Sequence, residues 1–265
     1  MPMRLHALPA FEDNYIWILA GDDGRALVVD PGDAGPVLAA AADSLQRIGM
    51  RPVGILITHH HDDHIGGLAQ LRQRWPDLSI HAPRDARIQI ATHRVGDGDA
   101  VVIGDWRFDV LEVPGHTRSH IAFHGSDIDE GLVFCGDTLF SLGCGRLFEG
   151  TAAQMLDSLD RLAALPGSTR VCCTHEYTLG NAAFALTIDP DNTALHARVD
   201  QVRALRAASM PSLPSTIAQE VSTNPFLRCD AAAVRDAIAS RLGRMPADRL
   251  EVFTELRRWK DSFRS

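Results

Sequence analysis

The sequence predicts an α/β domain over residues 1–175 followed by an α-helical domain over residues 176–265, and three observations lead there. Up to His175, short apolar runs closed by turn residues alternate with Ala/Leu-rich stretches, the pattern of buried strands interleaved with helices. Beyond His175 the strand patterns stop and apolar residues recur at helical spacing. The length of 265 residues exceeds the ~100–200 of one ordinary domain and falls short of two full-sized ones.

The elements follow in order. Residues 15–20, 26–30 and 53–58 are apolar runs that read as buried strands, and residues 34–48 between the last two read as a helix. Gly104-Asp105 joins the runs 101–103 and 106–113 into a hairpin. Further strands are expected at 121–124, 132–135 and 171–174. Thr151 opens a helix over 151–164 with Leu156, Leu159 and Leu162 on one face. In the C-terminal part, helices are expected over 181–188, 192–208, 231–242 and 247–263, interrupted by Asp189-Pro190 and by the region from Pro211 to Pro214.

Composition excludes several classes. Hydrophobic residues make up 45% and charged residues 23%, which argues against disorder and coiled coil. No stretch approaches 18 apolar residues, so no membrane span is expected. The segment from Met1 to Ala10 has no basic region leading into an apolar core, so no secretory signal is expected either. The net charge of −8 makes nucleic acid an unfavourable partner. Five cysteines (Cys135, Cys144, Cys172, Cys173 and Cys229) form an odd set with one adjacent pair and no CxxC, which points to a reducing, cytoplasmic setting without a thiolate zinc site. Of the 26 basic residues, Lys260 is the one lysine.

The densest chemical signal is the run His59-His60-His61-Asp62-Asp63-His64, four imidazoles and two carboxylates in six residues. It follows a predicted buried strand and precedes an apolar-periodic helix, where a scaffold presents ligands. In an extended segment His59 and His61 point to one side, while Asp63 and His64 at the helix start aim elsewhere. One loop could therefore serve two metal ions with two ligands each, and imidazole with carboxylate suits zinc, iron or manganese. A solvated polar turn is the rival reading, and burying so many ionisable groups without a metal costs too much for a partly buried loop. His116 in Pro114-Gly115-His116-Thr117, Asp137 in Gly136-Asp137-Thr138 and His175 in Thr174-His175-Glu176 each follow a strand-like run. Each is weak alone, and their shared placement raises all three.

With these residues in view, Thr58-His59-x-His61-x-Asp63-His64 together with His116, Asp137 and His175 resembles the motifs of the metallo-β-lactamase superfamily, and Asp30 in Val28-Val29-Asp30-Pro31-Gly32 resembles its first motif. More narrowly, the chain resembles the hydroxyacylglutathione hydrolase (glyoxalase II) family. The added matches are Asp13-Asn14-Tyr15-Ile16-Trp17, the runs from Gly136 to Ser141 and from Gly143 to Thr151, His175-Glu176-Tyr177-Thr178, Thr223-Asn224-Pro225-Phe226-Leu227-Arg228 and Arg257-Arg258-Trp259-Lys260-Asp261, spread over nearly the whole chain.

The resemblance implies a four-layer αβ/βα sandwich with a helical C-terminal domain. It implies one metal on His59, His61 and His116, a second on Asp63, His64 and His175, and Asp137 bridging both. Asp30 would hydrogen-bond within the ligand loop, and His60 would be a non-ligand. Two divalent ions per chain are implied, zinc first, with iron and manganese as alternatives. The implied reaction is hydrolysis of S-D-lactoylglutathione and related 2-hydroxyacyl glutathione thioesters to D-lactate and glutathione, the last step of methylglyoxal detoxification. Its nucleophile would be a hydroxide bridging the two metals, oriented by Asp63 and Asp137. Arg146, Tyr177, Arg257 and Lys260 would bind glutathione. Phe148 stands where some members carry a tyrosine hydroxyl, so that hydrogen bond would be missing from this substrate-binding position. A monomer is expected.

The basic C-terminus bears independently on the substrate. The last nine residues hold Arg257, Arg258, Lys260 and Arg264 against Asp261, and i, i+3 spacing puts Arg257 and Lys260 on one helix face. A solvated helix end complementing its dipole is the competing account. The placement of the lone lysine favours a ligand for the carboxylates of glutathione. Two departures from the family pattern stand out. Ser119 replaces the usual glycine, and Leu142 replaces a small residue, where it could change the shape of the acyl pocket and with it the breadth of substrates.

Other readings within the superfamily are a lactonase or β-lactamase, an iron-dependent persulfide dioxygenase, a nuclease, and a non-catalytic metal-binding protein. The missing signal opposes a secreted β-lactamase, the Arg-x-x-Lys-Asp tail opposes a dioxygenase, acidity opposes a nuclease, and the full set of seven ligands opposes a non-catalytic copy.

Overall fold

The computed structural model describes residues 3–42 and 50–264, which fall into two compact units. The first consists of Met1–Glu112 and Ser119–Gly136, the second of Val113–Arg118 and Asp137–Ser265.

The first unit carries, in order, β1 (Met3–Ala10), β2 (Asn14–Gly21), β3 (Arg25–Val29), α1 (Ala34–Ala42), β4 (Arg51–Leu56), α2 (Asp62–Ile65), α3 (Leu68–Arg74), β5 (Ser79–Pro83), β6 (His93–Val95), β7 (Ala100–Ile103), β8 (Trp106–Glu112), β9 (Ile121–Gly125) and β10 (Leu132–Gly136). Strands β1 to β6 form one sheet in sequence order, antiparallel through β1-β2-β3 and parallel through β3-β4-β5-β6. The near-continuous apolar runs of β2, β3 and β4 suit strands buried on both faces. Ile16, Ile18, Val28, Ile55 and Ile80 meet Val37 of α1 and Leu68 and Leu71 of α3 in one hydrophobic cluster. The hairpin predicted around Gly104-Asp105 is present, with Ile103 paired to Trp106, and β8, β9 and β10 continue it antiparallel. Strand β4 ends at Leu56, two residues before the predicted end, which leaves Thr58 in the following loop. The helix predicted over 34–48 is observed to Ala42, and its remainder lies outside the described residues. Strands β1, β5 and β6 went unread: β1 is a half-exposed edge strand, and β6 is three residues long.

The second unit carries β11 (Leu139–Phe140), β12 (Gly143–Cys144), α4 (Ala152–Ala163), β13 (Arg170–Cys173), α5 (Thr178–Ile188), α6 (Thr193–Ala207), β14 (Ser215–Thr216), α7 (Ile217–Thr223), α8 (Ala232–Leu242) and α9 (Arg249–Ser262). Helix starts follow capping chemistry. Thr151 and Gln154 form a capping box on α4, while Asn192, Thr216 and Asp248 accept backbone N–H groups at the starts of α6, α7 and α9. Contrary to the expectation that strands end at His175, the short β14 lies beyond it and pairs antiparallel with β13. Helix α7 also follows the proline-rich break, where its seven residues are too few to show a period. Phe184, Phe226, Phe253 and Trp259 build the aromatic centre of the helices. Among the described residues no helix is long and apolar enough to cross a membrane.

Candidate metal centre

In the first unit the ligand candidates sit on the loop after β4 and on α2. His59 and His64 are buried, His61 and Asp63 partly so. His59 Nε2 and His61 Nδ1 converge to 3.0 Å, and His64 Nε2 lies 3.6 Å from Asp63 Oδ2. The loop thus presents two pairs of donor atoms. His60 turns instead to Asp85, with Nδ1 3.6 Å from Oδ2. The Asp85 carboxyl is held well below the usual range, first by Arg87, and it also accepts from Ser119 Oγ at 2.5 Å. Ser119, one of the two departures, is therefore part of this carboxylate's shell.

Asp30, buried just beyond β3, accepts three hydrogen bonds: from Thr58 N–H at 2.8 Å, from Thr58 Oγ1 at 2.7 Å and from His64 Nδ1 at 3.0 Å. Its φ of 50° is unfavourable for a non-glycine residue, and these bonds compensate. Gly32 packs directly on the Asp63 main chain, where a Cβ would fall 1.9 Å from the Asp63 carbonyl oxygen. Asn14, quoted in the sequence only as part of a matching run, donates through Nδ2 to Asp63 Oδ2 at 3.1 Å. A buried amide opening an otherwise apolar strand was the available sign of that role.

In the second unit, His116, Asp137 and His175 meet at one atom. Asp137 Oδ2 lies 3.4 Å from His116 Nε2 and 3.4 Å from His175 Nε2, and all three residues are buried. His116 is oriented by donating from Nδ1 to the Arg146 carbonyl at 2.9 Å. Tyr177 stacks on His175 with ring centroids 4.7 Å apart, and Phe148 meets His116 edge-on at 5.2 Å. Both aromatic residues are exposed, at 41% and 63%.

The basic residues gather in the same unit. Arg146 Nε is 4.0 Å from Asp261 Oδ1, which also accepts from Arg257 at 3.0 Å. Arg257 is only 5% exposed and donates to the Cys144 carbonyl at 2.8 Å. Lys260 Nζ donates to the Gly180 carbonyl at 3.0 Å, and burial, with help from Arg257 and Arg146, pushes its pKa down to about 8. Leu142, the other departure, has φ of 59° and is fully buried in a cluster with Ala182, Ala185, Leu195 and Val199.

Each unit presents its own imidazole and carboxylate donors, His59, His61, Asp63 and His64 in the first and His116, Asp137 and His175 in the second. That donor chemistry fits a divalent metal ion, and the five cysteines, all buried thiols, are in none of the candidate groups.

A family model described as the metallo-β-lactamase superfamily matches residues 11–175, and one described as the hydroxyacylglutathione hydrolase C-terminus matches residues 176–263. The fold is therefore the metallo-β-lactamase α/β fold with a C-terminal helical domain. Solved structures agree: ETHE1 from Myxococcus xanthus is 24% identical with a TM-score of 0.62, covering 97% of this chain and 98% of that one. TTHA1623 in a di-iron-bound form is 27% identical with a TM-score of 0.56, covering 86% of this chain and all of that one. Among curated relatives, a hydroxyacylglutathione hydrolase of Xanthomonas euvesicatoria is 58% identical over 263 residues, 99% of this chain and 100% of the relative. One of Xylella fastidiosa is 56% identical over 261 residues, 98% of both. The chain belongs to the hydroxyacylglutathione hydrolase family.

Proposed function

We propose that the chain hydrolyses S-D-lactoylglutathione and related 2-hydroxyacyl glutathione thioesters to the hydroxy acid and glutathione. It is a thioester hydrolase. The observation that supports the reading is the single Asp137 oxygen equidistant from His116 and His175, a placement that fits a carboxylate shared between two cations. In this reading His59, His61 and His116 hold one ion, Asp63, His64 and His175 the other, and Asp137 both. Zinc is the first choice for both ions, with iron or manganese as substitutes. Bound there, divalent ions would activate water at neutral pH and polarise the thioester carbonyl.

The chain's own groups do the rest. Asp63, held by Asn14, and Asp137 orient the attacking water. The exposed Tyr177, Phe148 and Arg146, with the partly buried Lys260, form the aromatic and basic surface that receives glutathione. Arg257, with one guanidinium edge on the Cys144 carbonyl and Asp261, contributes its charge and the placement of Asp261. We assign residues 1–175 to the catalytic domain and 176–265 to the substrate-binding domain, in a monomeric, cytoplasmic enzyme.

The test is hydrolysis of S-D-lactoylglutathione beside S-lactoyl-coenzyme A, with metal measured on the same sample. Turnover of the first well above the second is expected, with two metal equivalents. Absence of turnover in fully loaded protein, or oxygen uptake with glutathione persulfide in its place, would refute the reading.

A further inference from the structure

The matched segment around Asn224 has no part in the chemistry above, yet Asn224 is wholly buried. Its target is the turn between β11 and β12. Asn224 Nδ2 donates to the Phe140 carbonyl at 3.1 Å and to the Gly143 carbonyl at 2.9 Å. Asn181 donates to the Ser141 carbonyl at 3.0 Å, and Glu220 Oε2 accepts the Leu142 N–H at 2.8 Å. Asn224 also donates to that Glu220 oxygen at 3.1 Å, and its own Oδ1 accepts the Phe226 N–H at 3.1 Å. Side chains from α5, from α7 and from its C-terminal cap thus hold the main chain of residues 140–143 at each residue. Burial raises the Glu220 pKa, and four donors around the carboxyl oppose that rise. The clamp also holds Leu142 in a left-handed conformation that a leucine does not adopt without compensation.

The turn leads directly to the ligands. Gly145, next in line, donates its N–H to the Thr138 carbonyl at 3.1 Å and sits so close to Asp137 that a Cβ would lie 1.9 Å from the Asp137 carbonyl oxygen. Arg146 follows, and its carbonyl is the acceptor for His116 Nδ1. A shift of the turn would therefore move the Asp137 main chain and the group that aims His116 together.

We propose that Asn224 and Glu220 are positioning residues for Asp137 and His116, acting through the 140–146 segment rather than on substrate. This rests on the ligand assignment made above. The experiment compares Asn224→Ala, Asn181→Ala and Glu220→Gln with Asn192→Ala, which removes the cap of α6 and a bond to the Ser222 carbonyl of α7 but cuts no bond to the turn. For each holoprotein, thermal midpoint, metal retained against a chelator, and kcat per bound metal are measured.

Asn224→Ala is expected to lose metal about ten-fold faster or more and to lose kcat to a similar degree, the size seen when a partner behind a metal ligand is removed. Asn181→Ala, which cuts one contact rather than two, moves the same way by less, and it decides the matter if Asn224→Ala does not fold. Glu220→Gln keeps an oxygen for Leu142 N–H and stays near wild type. Asn192→Ala lowers the thermal midpoint and retains metal normally. The proposal is overturned if Asn224→Ala and Asn181→Ala match Asn192→Ala in metal retention and kcat at an equal loss of thermal midpoint, or if Glu220→Gln loses metal as fast as Asn224→Ala. Metal retention needs no substrate, so a wild type that fails to cleave the thioester sinks the functional reading and leaves this comparison standing.

Discussion

Asp30 Oδ2 accepts His64 Nδ1–H at 3.0 Å while also accepting the Thr58 hydroxyl at 2.7 Å, and this pair of bonds sets two tautomers. His64 has its proton on Nδ1, which leaves Nε2 as the lone-pair nitrogen. Thr58 has spent its proton on Asp30, so its oxygen, 3.1 Å from His59 Nδ1, receives the proton of that ring. His59 then also presents Nε2 as a donor to metal. Asn at position 30 tolerates the positive φ but turns an amide N–H toward His64. Asp30→Asn is expected to lower metal affinity by about 10–100-fold with the fold retained, measured by competition with a chromogenic chelator and by circular dichroism. Thr58→Val, which removes the relay to His59 and the hydroxyl bond to Asp30 but leaves His64 Nδ1 on Asp30, should lose less.

The loop's alternation gives a sharp contrast between neighbours. His61 meets His59 at 3.0 Å, whereas His60 turns to Asp85. Metal analysis of protein purified without chelator should show His60→Ala close to wild type and His61→Ala depleted. The reverse pattern would mean the ligand assignment is off by one residue.

Asp137 offers a harsher case, because one oxygen serves two histidines. Asp137→Ala should cost more than the about 10–100-fold that follows loss of an outer partner, in both metal content and turnover. Reconstitution with excess zinc should not restore it, since the missing group is the shared ligand itself.

The sequence made the ligand loop legible because six consecutive imidazole and carboxylate residues have no comfortable apolar or solvated home after a buried strand. Periodicity likewise revealed α4, α6, α8 and α9, whose caps account for the one- or two-residue offsets at their starts. What stayed hidden depends on long-range hydrogen bonds to main chain. Glu220 reaches Leu142 across 78 residues, Asn224 reaches Phe140 across 84, and Arg257 reaches Cys144 across 113. No local pattern encodes such pairs. Arg257 read as one face of a basic helix end, and it is instead a buried residue whose neighbour Lys260 keeps the more open position.

Lys260 carries the pH dependence. Burial lowers its pKa from 10.5 to about 8, so its charge is present below pH 8 and is lost as pH rises through that value. If the ammonium binds a glutathione carboxylate, KM for S-D-lactoylglutathione should rise above about pH 8, levelling once the charged hydrogen bond, worth ~1.5–3 kcal/mol, is gone. That loss corresponds to about ten- to a hundred-fold in binding. Lys260→Arg should flatten the rise, because a guanidinium stays charged throughout. Lys260→Ala should have a high KM at every pH with a smaller change in kcat. The exposed Arg264, outside the matched motif, is the control for general loss of positive charge. Initial rates between about pH 6.5 and 9.5 on all four proteins decide the matter. A KM that rises equally in wild type and in Lys260→Arg would assign the titration to another group and leave Lys260 as a helix-terminal lysine bonded to Gly180.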